Sequence, residues 1–412
     1  MHIHNILYIC TLEIFIIISG IKLHAMDKGK IQTTNLTNNE PEELEIEDNS
    51  SGKDGITDPF NPNDVKIESP AFTIAHLIDR LEFDDINMQT EFQRRGNLWD
   101  NGKQSRLIES ILLGLPLPAF YFDTSEEKWN IIDGLQRCCA IDNFCVKKEL
   151  LLQDLEFLKD YEGWGYDRFD KLMKRKLLTC NITVHQLKKG SPIEVCYILF
   201  SRLNTGGTPL TPQEIRNAMF QGTVSDMIQR MATTERFKKA TDYKVPTKRM
   251  EDQDLVSRFI TFYVSDYNEY LPDLNKFINK SLSELKKNIA LYRTIEDDFS
   301  DALQLAYDIF QDDAFRKRTD IGAKRSRINK AYFEVITVIF SKLSPNDKKA
   351  ILKNKELLKL NLVELAKDSE SGFINSVAVA TGTRDSVLTR FNKFKEVVHL
   401  TLSNQTYEPS YK

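Results

Sequence analysis

The stretch from residue 129 to residue 144 most constrains how this chain can fold. It starts with a β-favouring apolar run, breaks at Asp133 and Gly134, and continues in helix-compatible residues. Backbone N–H groups at a helix N-terminus lack partners within the helix, and the helix dipole favours an anion there. Together with Arg137, this strand-turn-helix corner predicts a phosphate-binding turn. The alternative is that Asp133 only caps the helix and Arg137 pairs with a surface carboxylate.

Short strand-like and helix-like pieces alternate around this corner, between Pro70 and Leu210. Helices are predicted over residues 73–81 and 103–113, and strands over 119–122, 128–132 and 178–187. Two further helix starts carry capping boxes with proline at the first helical position, Ser191-Pro192-Ile193-Glu194 and Thr211-Pro212-Gln213-Glu214. The pattern predicts a compact α+β domain over residues 70–222.

The second half of the chain is predicted to be helical. Apolar residues recur at steps of three and four over residues 254–263, 274–292, 295–310, 328–343 and 357–366. Strand signals fade beyond Val224. An all-α domain over residues 223–405 is therefore expected.

The N-terminus differs in composition from the rest of the chain. Residues 1–25 form an apolar leader. An over-extended start site or a poorly ordered leader is favoured over an uncleaved anchor or a signal peptide, because no basic residue precedes the run and Glu13 interrupts it. Residues 26–69 are rich in polar and acidic residues and are expected to be a disordered acidic tail. Residues 1–69 hold 5 basic and 12 acidic side chains, against 51 and 48 in the remainder.

Cysteine and histidine patterns exclude several classes of site. The six cysteines show no zinc-type or disulfide-type spacing, and adjacent Cys138 and Cys139 are expected to be buried apolar residues. His76, His185 and His399 stand alone in the sequence, so no metal site is expected from local motifs. A P-loop is also missing from the sequence. A reduced, cytoplasmic setting without membrane attachment fits best.

Three segments in this order carry a family resemblance. They are Glu91-Phe92-Gln93-Arg94-Arg95, Asp133-Gly134-Leu135-Gln136-Arg137, and the loop Asn204-Thr205-Gly206-Gly207-Thr208 with its flanks. Together they resemble the N-terminal domain family of GmrSD-type, modification-dependent restriction systems, whose fold is similar to that of ParB and sulfiredoxin. The family motif is Asp-Gly-Gln-Gln-Arg, and Leu135 replaces its first glutamine. Residues 248–259 and 380–391 also resemble stand-alone members, so the resemblance extends over about residues 70–400.

The resemblance implies NTP binding with Mg²⁺, with weak NTP hydrolysis as a further expectation. Nucleotide-binding residues would be Gln93, Arg94, Gly134, Arg137, Asn204, Thr205 and Gly206, and catalytic residues would be Asp133, Gln136 and Glu109. Sulfiredoxin-like thiol chemistry is a rival on the same fold, but Leu135 stands where that chemistry needs a cysteine. The chain also resembles members that lack the His-Asn-His nuclease domain, so cleavage by this chain alone is not expected.

A basic run in the second half predicts DNA contact. It comprises Arg316, Lys317, Arg318, Lys324, Arg325 and Arg327, followed by Lys330. Phosphate neutralisation would follow if these side chains share one face, whereas the alternative is an ordinary solvated surface. The function expected is a regulatory protein of a restriction or phage-defence system, with nucleotide, DNA and a separate nuclease or effector protein as partners. The alternative is a non-enzymatic DNA-binding or scaffolding protein in which the corner is structural.

Overall fold

A computed structural model describes residues 44–45, 61–88, 99–203, 210–318 and 325–409, all within one compact unit that spans residues 42–412. Six strands of one sheet lie in its first half. They are β1 Ile67–Glu68, β2 Ala71–Thr73, β3 Ile86–Asn87, β4 Phe120–Asp123, β5 Trp129–Asp133 and β6 Asn181–Leu187. The strand order is β1-β6-β4-β5-β3, with β2 also paired to β6. The expectations for residues 1–25, and for most of 26–69, lie outside the described residues.

Strand direction places the corner at a defined edge of the sheet. β3 and β5 are parallel, with Ile86 opposite Trp129 and Asn87 opposite Asn130. β4 is antiparallel to β5 and parallel to β6. Because parallel strands point the same way, the chain leaves β3 and β5 at the same edge. The connection that follows β3 therefore leaves the sheet on the side where β5 ends, three residues short of the end of β5.

Within the described residues, six α-helices accompany the sheet. They are α1 Ile74–Glu82, α2 Asn101–Leu113, α3 Leu135–Ile141, α4 Lys171–Leu178, α5 Ile193–Leu203 and α6 Pro212–Met219. Thr73 caps α1, and Thr211 caps α6 in a capping box with Glu214, both as predicted. Ser191 behaves differently from the prediction, because its hydroxyl accepts a hydrogen bond from the Lys66 backbone and so ties α5 to the β1 segment.

Ten α-helices lie in the described part of the second half. They are α7 Thr223–Thr233, α8 Glu235–Ala240, α9 Glu251–Val264, α10 Leu274–Lys286, α11 Tyr292–Phe310, α12 Lys330–Ser341, α13 Pro345–Lys353, α14 Lys355–Lys367, α15 Phe373–Ala378 and α16 Arg384–Leu402. The helix predicted over residues 274–292 ends at Lys286, and a short 3₁₀ turn precedes α11. The expected mixed α+β fold with a helical C-terminal part is confirmed.

Two apolar cores divide along the sheet. One contains Phe120, Phe122 and Trp129 together with α1, α2 and the helix after the corner. The other runs through the C-terminal helices and includes Ile132 and Leu187 from the strands. The helical part therefore packs directly on the sheet. None of the helices in the described part of the chain is long and apolar enough to span a membrane.

Candidate nucleotide site and basic segment

The corner after β5 depends on glycine. Gly134 has φ +109° and forms the N-cap of α3, and no side chain in the described structure caps this helix. A Cβ atom at this position would lie 2.7 Å from Cδ1 of Phe120 and carry an unfavourable backbone conformation. Asp133 is thus not the helix cap that the structural alternative expected. α3 continues into a π-helical turn at Asp142–Val146.

Arg137 is buried beneath the corner. Its guanidinium donates to the carbonyl oxygens of Pro118 and Ala119, and its Nη2 lies 2.7 Å from Oδ2 of Asp133. The group also lies 4.5 Å from the centre of the Phe120 ring. Its ion-pair partner is therefore Asp133, a partly exposed carboxylate four residues earlier. Arg137 holds the end of β5, the start of α3 and the segment before β4 together.

Gln136 binds the segment that precedes α2, whereas Arg137 binds the segment that precedes β4. Its Oε1 accepts a hydrogen bond of 2.8 Å from the Trp99 backbone N–H, and the Trp99 carbonyl accepts one from Gln104. Asn143 donates in turn to Gln104. These hydrogen bonds hold the chain at Trp99, just before α2, against α3. Gln93 and Arg94, which precede it, lie outside the described residues.

Asp133 keeps solvent access, whereas Glu109 does not. The Asp133 side chain is 29% exposed even though one of its oxygens binds Arg137. Glu109 is buried and accepts three backbone hydrogen bonds, from Glu156, Phe157 and Leu158. Burial raises the pKa of Glu109, but these hydrogen bonds outweigh it and leave the pKa below its usual value. Glu109 therefore fixes the loop at residues 156–158, and the structure does not show it bonded to the corner.

The cysteines next to the corner are buried. Cys138 and Cys139 lie in α3, and burial raises the pKa of the Cys138 thiol. A buried thiol with a raised pKa is a poor nucleophile. Both side chains serve as small apolar residues, as the sequence predicted.

The basic run is engaged with acidic groups of the same chain. Arg316 is buried and donates to the carbonyls of Asp312 and Ser326. Lys317 pairs with Glu45 at 2.6 Å. Arg318 pairs with Asp313, and Arg325 pairs with Asp242 and Asp313. Arg327 is exposed. Lys324 lies outside the described residues, as do Asn204, Thr205 and Gly206.

A buried network of charged side chains links helices from both halves. The sequence did not predict it, and it includes Lys330, which was expected to belong to the basic run that contacts DNA. Its central contacts join Arg216, Asp254, Arg258, Lys330, Glu334 and Arg390. Arg216 belongs to α6, Asp254 and Arg258 to α9, Lys330 and Glu334 to α12, and Arg390 to α16. The sequence signal was present, because Glu334 is the only charged residue in the apolar run Ala331–Phe340.

Asp254 is the hub of this network. Arg216 Nη2 lies 2.7 Å from one of its oxygens, and Lys330 Nζ lies 3.0 Å from the other. Burial raises the pKa of Asp254, but Lys330, Arg258 and Arg216 hold it well below its ordinary value. Asp254 is therefore ionised, and it joins α6, which packs on the sheet, to α9 and α12.

These features define a mixed α+β domain with a glycine corner at the end of a central strand, continued by a helical part. Residues 77–221 match the model of the family described as the GmrSD restriction endonuclease, N-terminal domain. The match does not reach residues 248–259 or 380–391, for which a resemblance was also expected. Searches of curated proteins and of solved structures gave no significant match.

Proposed function

We propose that this chain is a nucleotide-binding regulatory component of a restriction system. The proposal rests on the corner formed by Asp133, Gly134, Gln136 and Arg137, which lies within the residues that match the GmrSD N-terminal domain family. The ligand is a nucleoside triphosphate with Mg²⁺. The partners are DNA and a separate nuclease or effector protein, and the setting is cytoplasmic.

The groups at the corner suit a magnesium-bound triphosphate. Mg²⁺ is usually held by one or two protein carboxylates together with phosphate oxygens and water. Asp133, with its partly exposed carboxylate, supplies one such ligand. The first N–H groups of α3, which follow the Gly134 turn, are donors of the kind that bind phosphate oxygens. These observations support the proposal without assigning the base of the nucleotide.

Arg137 and Gln136 act in this proposal by positioning. Arg137 fixes the orientation of the Asp133 carboxylate, since its buried guanidinium forms an ion pair of 2.7 Å with this partly exposed group. Gln136 fixes the chain at Trp99, which follows the segment that contains Gln93 and Arg94. Gln93, Arg94, Asn204, Thr205 and Gly206 are the proposed direct contacts that lie outside the described residues.

One observation favours the second candidate, a DNA-binding or scaffolding protein with a purely structural corner. In the described structure the Arg137 guanidinium donates hydrogen bonds to Pro118, Ala119 and Asp133 of its own chain. A side chain used in this way stabilises the fold whether or not a nucleotide binds. In that case the corner would have no affinity for NTP.

Calorimetric titration of the full chain separates the two candidates. Each of ATP, GTP, CTP and UTP is titrated with Mg²⁺, in the presence and absence of duplex DNA, and phosphate release is followed in parallel. Saturable binding of one or more nucleotides supports the first candidate, and phosphate release shows turnover. DNA binding that is indifferent to every nucleotide, together with no nucleotide binding, supports the second.

A variant pair locates the binding. Asp133→Asn keeps the size of the side chain but removes the proposed metal ligand, so it should weaken binding of the Mg²⁺ nucleotide. Asp167→Asn is the matched control, because Asp167 lies in the same domain and forms an exposed ion pair with Lys148. Equal loss in both variants would show that the corner is not the site.

A further inference from the structure

A short piece of the acidic N-terminal segment is bound to the helical part of the chain. Leu44 forms a parallel β-bridge with Ile328, and the backbone N–H of Glu45 donates a hydrogen bond of 2.8 Å to the Ile328 carbonyl. Ile328 also forms an antiparallel bridge with Arg316. Residues 44–45 are therefore held by backbone pairing, as in β-strand addition.

The side chains of residues 44–45 match the surface that they contact. Leu44 is partly buried and packs against the core of the helical part. Oε1 of Glu45 lies 2.6 Å from Nζ of Lys317, and Oε2 accepts a hydrogen bond of 3.0 Å from the side-chain amide of Asn329. Successive side chains of an extended segment point to opposite faces. This surface therefore suits an apolar residue that is followed by an acidic one.

The contact joins two sequence segments of opposite charge. Positions 40–48 hold six acidic residues and no basic one, and Glu45 is among them. Lys317 belongs to the basic run, in which Arg316, Arg318 and Arg325 pair with acidic side chains of the helical part. In the described structure, Lys317 pairs instead with a carboxylate from the N-terminal segment. The acidic segment thus neutralises a cation of the run from which DNA contact was expected.

We propose that the acidic segment around Glu45 is a built-in competitor of DNA for the basic run. Phosphate groups of DNA bind lysine through the same charge-assisted hydrogen bonds that a carboxylate forms. DNA that binds Lys317 must therefore displace Glu45. The side chains of this ion pair are 19% and 28% exposed, and partly exposed pairs are weak enough to exchange partners. The inference rests on the DNA partner of the proposed function, and it adds how access of DNA is controlled.

Zero-length carbodiimide cross-linking of the full chain, read by mass spectrometry, tests both the contact and the competition. A cross-link between Glu45 and Lys317 should form in the free protein, because their charged atoms lie 2.6 Å apart. Saturating duplex DNA should lower its yield by about threefold or more. The internal control is the cross-link between Lys128 and Asp84, which also lie 2.6 Å apart, and its yield should not change. No cross-link at Glu45 in the free protein, or a yield that stays constant while DNA is bound, would overturn the inference.

A variant pair measures the effect on DNA affinity by fluorescence anisotropy at constant salt. Glu45→Lys places two cations side by side, so it should release the segment and tighten DNA binding about tenfold. Glu364→Lys is the matched control, because it changes the net charge equally and Glu364 also pairs with a lysine, Lys367, at a similar exposure of 27%. It should tighten DNA binding by less than about twofold. Equal gains in both variants would show an effect of overall charge and would contradict the inference.

The same titrations separate this inference from the proposed function. DNA binding that is equally tight in wild type and in Glu45→Lys overturns the competition and leaves DNA as a partner. If neither protein binds duplex DNA, the DNA partner of the proposed function is wrong, and the competition falls with it.

Discussion

Glu334 accepts hydrogen bonds from both Nε and Nη2 of Arg390, and both side chains are fully buried. Arg390 also donates to the carbonyl of Thr381 at 2.7 Å, and Arg258 lies 3.5 Å from the second oxygen of Glu334. Ions removed from water need such multiple partners to offset the cost of desolvation. The pair joins α12 to α16 in the middle of the helical part.

Removing one partner of this pair should strongly destabilise the protein. In Arg390→Met the Glu334 carboxylate stays buried and loses its closest cationic partner, while Arg258 remains at 3.5 Å. The free energy of unfolding, measured by chemical denaturation, should fall by about 3–5 kcal/mol. A fall of less than about 1 kcal/mol would show that the buried pair is not needed.

The control for that variant lies on the same helix. Lys393 pairs with Glu396 at 2.9 Å, and both side chains are partly exposed. Exposed ion pairs contribute little, so Lys393→Met should change the free energy of unfolding by at most about 1 kcal/mol.

Asp254 should make stability depend on pH in the acid range. Its pKa is lower in the folded state than the ordinary value of 3.8, because Lys330, Arg258 and Arg216 outweigh the opposing effect of burial. The stability that this shift contributes is therefore fully present above about pH 4 and is lost as the pH falls through the folded pKa. Wild-type protein should lose stability on acidification more steeply than Asp254→Asn.

Denaturation curves at about pH 7, 5 and 3 measure this difference. Asp254→Asn should be less stable than wild type at pH 7, and the gap should narrow at pH 3. A gap that stays constant over this range would contradict the assignment.

Gly134→Ala should destabilise the domain through both backbone and packing. The new Cβ atom would meet Phe120 at 2.7 Å at a φ of +109°, so the expected cost is about 2–4 kcal/mol. Gly163→Ala is the matched control, since Gly163 also has positive φ, at +74°, but has no atom within 4 Å of the new Cβ. That substitution should cost about 1 kcal/mol, as backbone strain alone. Equal unfolding midpoints for the two variants would refute the steric part of the account.

The sequence was informative wherever a local pattern determines local structure. The β-branched run before Gly134, the capping residues Thr73 and Thr211, and the helical periodicity after Val224 each predicted an element that is present. These signals act over a few residues, so long-range contacts rarely override them. Ser191 was an exception, because a hydroxyl that can cap a helix can equally bind a neighbouring strand segment such as Lys66.

Side-chain partners far apart in sequence could not be predicted in this way. From the sequence, the Arg137 guanidinium could bind either phosphate or backbone carbonyls. Only the fold shows that it binds the carbonyls of Pro118 and Ala119. Likewise, Glu109 resembled a catalytic carboxylate until the loop at residues 156–158 was seen bonded to it. The pairing of Arg316 and Arg325 with acidic side chains was equally hidden, because Asp242 lies more than seventy positions away.

The most direct test of the nucleotide proposal is the affinity of Arg137→Ala for Mg²⁺-NTP, compared with wild type and with Arg230→Ala. Arg230 is the control because it pairs with Glu296 on the surface of the helical part. Arg137→Ala removes the ion pair with Asp133 and the hydrogen bond to Pro118, so the Asp133 carboxylate is no longer held in place. The nucleotide affinity of Arg137→Ala should therefore be at least tenfold weaker, on the order of 1.4 kcal/mol. The affinity of Arg230→Ala should be unchanged. Folded Arg137→Ala that binds nucleotide as tightly as wild type would contradict the nucleotide proposal, and so would a wild-type protein that binds none.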